Sequence, residues 1–200
     1  MKSRHALVVA LLSAFGAAHA ATIFSDNFNS DVNGLNTVSF VGGWSVANGT
    51  VDMIGSPPPF FDLIPGNGHY IDLDGSTGNA GEFSKSLLLT GGVTYTASFQ
   101  LAGSHRGDSN IVDVTFGSTL NSYTLASADP LGTSTLNFTP GATGLFSLSF
   151  ANQGGDNIGA LLDNVSVMSV TTPVPEPSSY ALMLAGLVGM GAVVRRRAKR

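Results

Sequence analysis

The sequence predicts an all-β fold, a two-sheet β-sandwich of jelly-roll type, and three observations carry that expectation. No stretch between residues 21 and 170 keeps apolar residues at helical spacing; short runs alternate apolar and polar residues instead. Turn-forming residues separate those runs, and Gly alone occurs 25 times. Charged residues make up 11% of the 200-residue chain, far below what an exposed helical surface carries.

The elements follow in chain order. Lys2 and Arg4 precede the apolar run "ALVVALLSAFGAA", and "AHA" at Ala18–Ala20 has the small-x-small form of a cleavage site. Residues 1–20 are therefore expected to be a signal peptide, with the mature chain starting at Ala21. Residues 21–170 form the expected sandwich. "GWSVANGTVDMI" reads as a hairpin, with Trp44 and Val46 before the Asn48-Gly49 turn and Val51 and Met53 after it. "YIDLDG", "SKSLLLTGGVTYTASFQLAG", "NIVDVTFG", "NSYTLA", "STLNFTP", "TGLFSLSFAN" and "GALLDNVSVMSV" supply the other strands. The total is about ten strands, the number of a sandwich or jelly roll. In "TYTASFQLAG", Tyr95, Ala97, Phe99 and Leu101 share the face that should enter the core; Phe146, Leu148 and Phe150 do so in "LFSLSF". The first and last strands are expected to be neighbours.

Residues 171–177 form a Pro-rich linker and 178–194 an apolar helix, expected to be transmembrane. Residues 195–200 form a basic tail expected to stay cytoplasmic, with five positive charges in six positions. The uncharged run Tyr180–Val194 would be about 22 Å long as a helix, against a hydrocarbon core of about 30 Å. Pro175-Glu176-Pro177 before it is stiff and extended, because each Pro fixes its own φ and restricts the preceding residue. A permanent anchor and a sorting signal both fit the apolar run; the rigid peptide favours the signal.

Charge and composition exclude several functions. Between residues 21 and 172 only Lys85 and Arg106 face twelve acidic residues, a formal charge of −10. Such a surface repels phosphate, which excludes nucleic-acid binding. There is no Cys, so an exported fold must do without disulfides. His69 and His105 sit in no nucleophile–base motif. Asp72 and Asp74 share a sheet face and could pair as glycosidase carboxylates, but the turn that follows them suits a turn ligand or a solvated strand end better. Glu82 has no evident partner. The sequence thus points away from an enzyme. Trp44, Phe60, Phe61 and Tyr70 are the aromatic candidates for stacking on a sugar; core packing is the competing role, most strongly for Trp44. Phe60 and Phe61 lie in "SPPPFFDLIPGNGHY", a loop stiffened by prolines. "RGD" at Arg106–Asp108 is too short a match to carry meaning.

Two resemblances add to these readings. Val-Pro-Glu-Pro, an apolar helix and an Arg-rich end resemble the PEP-CTERM sorting signal, with Pro175, Glu176, Pro177, Arg195, Arg196 and Arg197 as its defining residues. The resemblance implies an exosortase-type membrane processing enzyme as partner. It also implies an inner-membrane intermediate in a Gram-negative bacterium, and delivery to the cell surface or an exopolysaccharide matrix. "GNGHYIDLDGSTGNAGEFSKSLLLTGGVTYTASFQLAGSHRGD" with "SFANQGGDNIGALLDNVSV" resembles the galactose-binding-like jelly roll of carbohydrate-binding modules. That resemblance implies polysaccharide binding, and a structural Ca²⁺ joining the N-terminal segment to the last strand through Asp26 and Asp163. A hydrogen bond from Asp163 to a loop fits as well. The sequence leaves two functions: a non-catalytic surface or matrix protein that binds polysaccharide, or an exported carbohydrate-active hydrolase on the same scaffold.

Overall fold

A computed structural model describes residues 19–56, 61–171 and 177–198. Twelve strands occur among them: β1 (His19–Asp26), β2 (Gly34–Thr37), β3 (Ser45–Ala47), β4 (Val51–Gly55), β5 (His69–Asp72), β6 (Glu82–Leu89), β7 (Thr94–Ala102), β8 (Asn110–Phe116), β9 (Thr119–Leu125), β10 (Gly132–Phe138), β11 (Gly144–Gln153) and β12 (Leu161–Thr171). One sheet has seven strands in the order β10-β7-β12-β5-β4-β2, with β1 paired to β12; the other has five in the order β3-β6-β11-β8-β9. The expected two-sheet sandwich is therefore present, and the first strand does pair with the last.

Alternation places the core between the sheets. Tyr95, Ala97, Phe99 and Leu101 are buried on β7, as are Leu148 and Phe150 on β11, with Phe146 packed against the same cluster. Aromatic rings fill one region: Trp44 stacks on Phe83 with centroids 4.3 Å apart, and Phe28, Phe40 and Phe150 meet those two rings edge-on or tilted. Burial of this size supplies stability without disulfides.

The expected Asn-Gly hairpin is corrected. β3 pairs with β6 in the five-stranded sheet, whereas β4 pairs with β2 and β5 in the seven-stranded one. Asn48 does adopt a left-handed φ of 63°, but the turn carries the chain across from one sheet to the other. At Gly49 a Cβ would come within 2.4 Å of the Asn79 and Ala80 carbonyls, so only glycine fits beside that segment. Both strands point alternate residues into one shared core, and alternation cannot distinguish partners in one sheet from partners across it. Two strands, β1 and β2, escape the sequence pattern; β2 is short and half-exposed.

The C-terminal segment forms a separate unit. Its helix α1 (Pro177–Arg197) carries Arg195, Arg196 and Arg197 in the last turn, where cations suit the helix dipole. The expected transmembrane helix over 178–194 is corrected in one respect: among the described residues, no helix is long and apolar enough to cross a membrane. The apolar run is too short, and Gly186, Gly189 and Gly191 dilute it further. Residues 1–18 of the expected signal peptide, and Pro175 and Glu176 of the motif, lie outside the described residues.

Candidate functional site

β4 is buried at all five positions, although it lies near the edge of its sheet. Val51 and Met53 enter the main core, while Ile54 faces the opposite side. There Ile54, Tyr70, Ala102 and Leu161 form a second, small apolar cluster on the outer face of the seven-stranded sheet, covered by Leu63, Ile64 and Leu131. Leu63 and Ile64 belong to the loop between β4 and β5, and Leu131 stands just before β10. The β4–β5 loop closes on itself through bonds from the Gly55 N–H to the Phe61 carbonyl (2.9 Å) and from the Ser56 N–H to the Gly68 carbonyl (3.2 Å). Tyr70 holds it down: its hydroxyl accepts from the N–H groups of Leu63 (2.5 Å) and Ile64 (2.9 Å) and donates to Asp62 (3.3 Å). Burial pushes the Tyr70 hydroxyl up to about 12, as a phenol in an apolar seat requires.

Beside this roof lies a pocket of about 240 Å³, lined by Asp52, Ile54, Phe61, Leu63, Asp72, Ser76, Arg106 and Asn157. Asp52 and Asp72 are register partners on β4 and β5, so both carboxylates stand on the outer face. Asp52 accepts from the N–H groups of Asn36 (2.7 Å) and Ser76 (3.2 Å) and from the Ser76 hydroxyl (2.7 Å). Asp72 accepts from the N–H groups of Asp74 (3.1 Å) and Gly159 (3.0 Å), and from Arg106 Nη2 at 2.5 Å. Burial pushes the Asp72 carboxyl up to about 7, against the opposing pull of the Arg106 guanidinium. Asp74, also buried, is raised by desolvation, and its Oδ1 has no hydrogen-bond partner. Phe61 is 64% exposed and offers its ring at the pocket.

The expected aromatic candidates separate clearly. Phe61 is placed where a ring can meet a ligand. Trp44 is only 4% exposed, lies between Phe83 and Phe24, and donates its indole N–H to Asp26 (2.9 Å), so it is a core residue. Tyr70 is fully buried and anchors the roof. Phe60 lies outside the described residues. Asp72 is indeed a turn ligand, through its bond from the Asp74 N–H, but it is buried rather than solvated. Each oxygen of Asp72 faces a donor, Oδ1 the Asp74 and Gly159 N–H groups and Oδ2 the Arg106 guanidinium. Asp52, Arg106 and Asn157 were not singled out as pocket residues by sequence reasoning. The Asp52–Asp72 pairing depends on strand register, and Arg106 meets Asp72 across 34 positions. The Arg-Gly-Asp tripeptide is accounted for by structure, since Asp108 accepts from Ser104 (2.6 Å) and Asn110 (3.1 Å).

The two residues expected to hold Ca²⁺ are brought together by the fold. Asp26 and Asp163 do face one another closely enough for the Asp26 charge to oppose ionisation of Asp163, whose pKa is raised chiefly by burial. Asp26, however, accepts from the Phe28 N–H (2.9 Å) and the Trp44 indole. Asp163 accepts from Asn67 Nδ2 (2.7 Å) and from the N–H (2.6 Å) and amide (3.0 Å) of Asn164. Both carboxylates therefore already act as hydrogen-bond acceptors within the fold. No group of three or more His, Cys, Asp or Glu fit to hold a metal occurs among the described residues. Asp163 instead ties the roof to β12 at the bulge between Asp163 and Ser166, where Asn164 has φ 48°.

Residues 173–197 match the model of the PEP-CTERM protein-sorting motif. No curated protein matches the chain. Among solved structures, the CBM22-1 xylan-binding domain of Xyn10C from Paenibacillus barcinonensis aligns with TM-score 0.50 and 12% identity, over 79% of this chain and 100% of that one. The K3 cleaved adhesin domain of Lys-gingipain from Porphyromonas gingivalis aligns with TM-score 0.50 and 16% identity, over 75% and 99%. The CBM22-1–GH10 modules of xylanase 10B from Clostridium thermocellum, complexed with xylohexaose, align with TM-score 0.46 and 14% identity; the match covers 78% of this chain and only 30% of that one. These likenesses speak to fold alone. The chain thus joins a β-sandwich with the fold of carbohydrate-binding modules to a C-terminal PEP-CTERM sorting motif.

Proposed function

We propose that this is an exported, non-catalytic polysaccharide-binding protein. In this reading it is sorted to the cell surface or extracellular matrix of a Gram-negative bacterium and processed at Pro175-Glu176-Pro177 by an exosortase-type enzyme. The sorting half is supported by the motif over 173–197. The binding half rests on one observation: an exposed ring, Phe61, beside fixed polar groups of Asp52, Asp72, Ser76 and Arg106 in one pocket. A sugar presents an apolar ring face for stacking and a rim of hydroxyls for hydrogen bonds, and the pocket offers both kinds of partner.

Affinity electrophoresis of the full-length chain in detergent, through gels containing a panel of soluble polysaccharides, tests the binding. At least one polymer should retard the wild type, and Phe61→Ala should lose about tenfold in affinity, some 1.4 kcal/mol. Because Phe61 is exposed, folding should not suffer. Retardation that survives Phe61→Ala unchanged would move the site elsewhere, and release of reducing sugar would turn the reading to a hydrolase.

A further inference from the structure

The pocket has a sign as well as a shape, and its sign is set by how its charges are already used. Asp52 and Asp72 stand opposite each other in register, and both line the cavity. Arg106 is the cation present there, and its guanidinium is held by Asp72 at 2.5 Å. The partners of Asp52 are all uncharged: two backbone N–H groups and the Ser76 hydroxyl. Behind the rim stand further carboxyl groups and, among the described residues, no cation but Arg106: Asp74 accepts from the Asp156 N–H (3.3 Å), and Asn157 continues that turn into the pocket wall. The other basic residue of the body, Lys85, is engaged with the Gly42 (2.6 Å) and Gly43 (3.2 Å) carbonyls, next to the Phe24 ring.

We propose that this pocket accepts uncharged sugar units and rejects carboxylated or sulfated ones, and that Asp52 is the residue that sets the rejection. The proposal rests on the reading of the pocket as a saccharide site. A hydroxyl can donate to the spare lone pairs of Asp52 or to Ser76 Oγ, and accept from Asn157 or the remaining N–H groups of Arg106. A uronate entering the same space meets the Asp52 carboxylate, whose partners are all uncharged, while the one guanidinium in the lining is already paired with Asp72. Like charges brought together out of water carry a cost that an Arg106 already shared with Asp72 offsets only in part.

The experiment compares neutral polymers with their uronate counterparts: galactan with polygalacturonate, mannan with polymannuronate, and glucan with polyglucuronate. The full-length chain in detergent is used at low and high salt at pH 8, where Asp72 is ionised and holds Arg106. Wherever a pair shows binding, the neutral member should bind at least tenfold more tightly at low salt. Raising salt to about 0.5 M should narrow the gap by raising uronate affinity while leaving neutral affinity in place, because screening acts on the repulsion alone. Asp52→Asn should narrow it likewise; the salt series needs no variant and decides the matter if Asp52→Asn folds poorly. Equal or tighter uronate binding at low salt overturns the proposal while leaving the saccharide site standing. Failure of every polymer to bind removes the saccharide reading itself and the selectivity with it.

Discussion

Two halves of one sheet face behave in opposite ways. Around β4 and β5 the outer face of the seven-stranded sheet is roofed, and it holds Tyr70, Asp52 and Asp72 almost completely out of water. Around β7 and β10 the same face lies open, with a grid of uncharged side chains: Thr94 with Thr139 (2.8 Å), Thr96 with Asn137 (2.7 Å) and Gln100 with Thr133 (3.4 Å). Asn164 bridges the halves by donating to Gln100 (2.8 Å). Local strand pattern is similar in both, and the difference comes from what lies above. A roof turns a polar strand face into a dry one, where every carboxylate must be matched with donors and every hydroxyl has a structural task. Without a roof, water can serve the same groups, and the side-chain bonds contribute little.

The largest effect that would break this contrast lies at Tyr70. Tyr70→Ala removes a fully buried ring and the acceptor of two loop N–H groups, and should cost about 3–5 kcal/mol in denaturant unfolding. Tyr70→Phe keeps the ring and orphans those N–H groups, at about 1–3 kcal/mol. Both variants should be cut by protease between Ser56 and Gly68 faster than the wild type. Equal cutting rates would mean that the roof does not depend on its anchor.

An intermediate effect tests burial of charge. The Asp72 carboxyl is raised to about 7 in the fold, above its ordinary 3.8. Between those values the folded chain keeps a proton that the unfolded chain has released, so stability falls as pH rises, by at most about 1.4 kcal/mol per unit. The full benefit is present below the unfolded value and is lost above about 7. Asp74 and Asp163, also raised, act in the same direction. Unfolding free energy measured at pH 5 and pH 8 should therefore be higher at pH 5, and Asp72→Asn should shrink the difference. A slope unaltered by Asp72→Asn would show that the Arg106 pairing, not burial, governs this carboxyl.

The smallest effect sharpens the comparison from the open side. Thr96→Ala removes an exposed side-chain bond to Asn137 and should change stability by no more than about 0.5 kcal/mol. A loss above 1 kcal/mol would mean that the open grid is as cooperative as the roofed half.

The sequence by itself determined the fold class, the inward faces of β7 and β11, the sorting tail and the scarcity of basic side chains. Each of these is written in local spacing or composition: period two on the strands, an ordered Pro-Glu-Pro, helix and Arg tract, and a count of Lys and Arg. It also placed Phe61 in a loop able to bind. Tertiary structure decided the rest. It sent β3 and β4 to different sheets although they flank an Asn-Gly turn, because both sheets share one core and impose the same alternation. It buried Trp44 and Tyr70, which composition could only mark as aromatic. It also set Asp52 opposite Asp72 and brought Arg106 onto Asp72 from 34 residues away. Register and loop closure are non-local, and one residue of slip would have turned those carboxylates into the core. The pocket exists because β4 and β5 pair in one particular register and Arg106 and Asn157 arrive from later loops, and no local pattern records either arrangement.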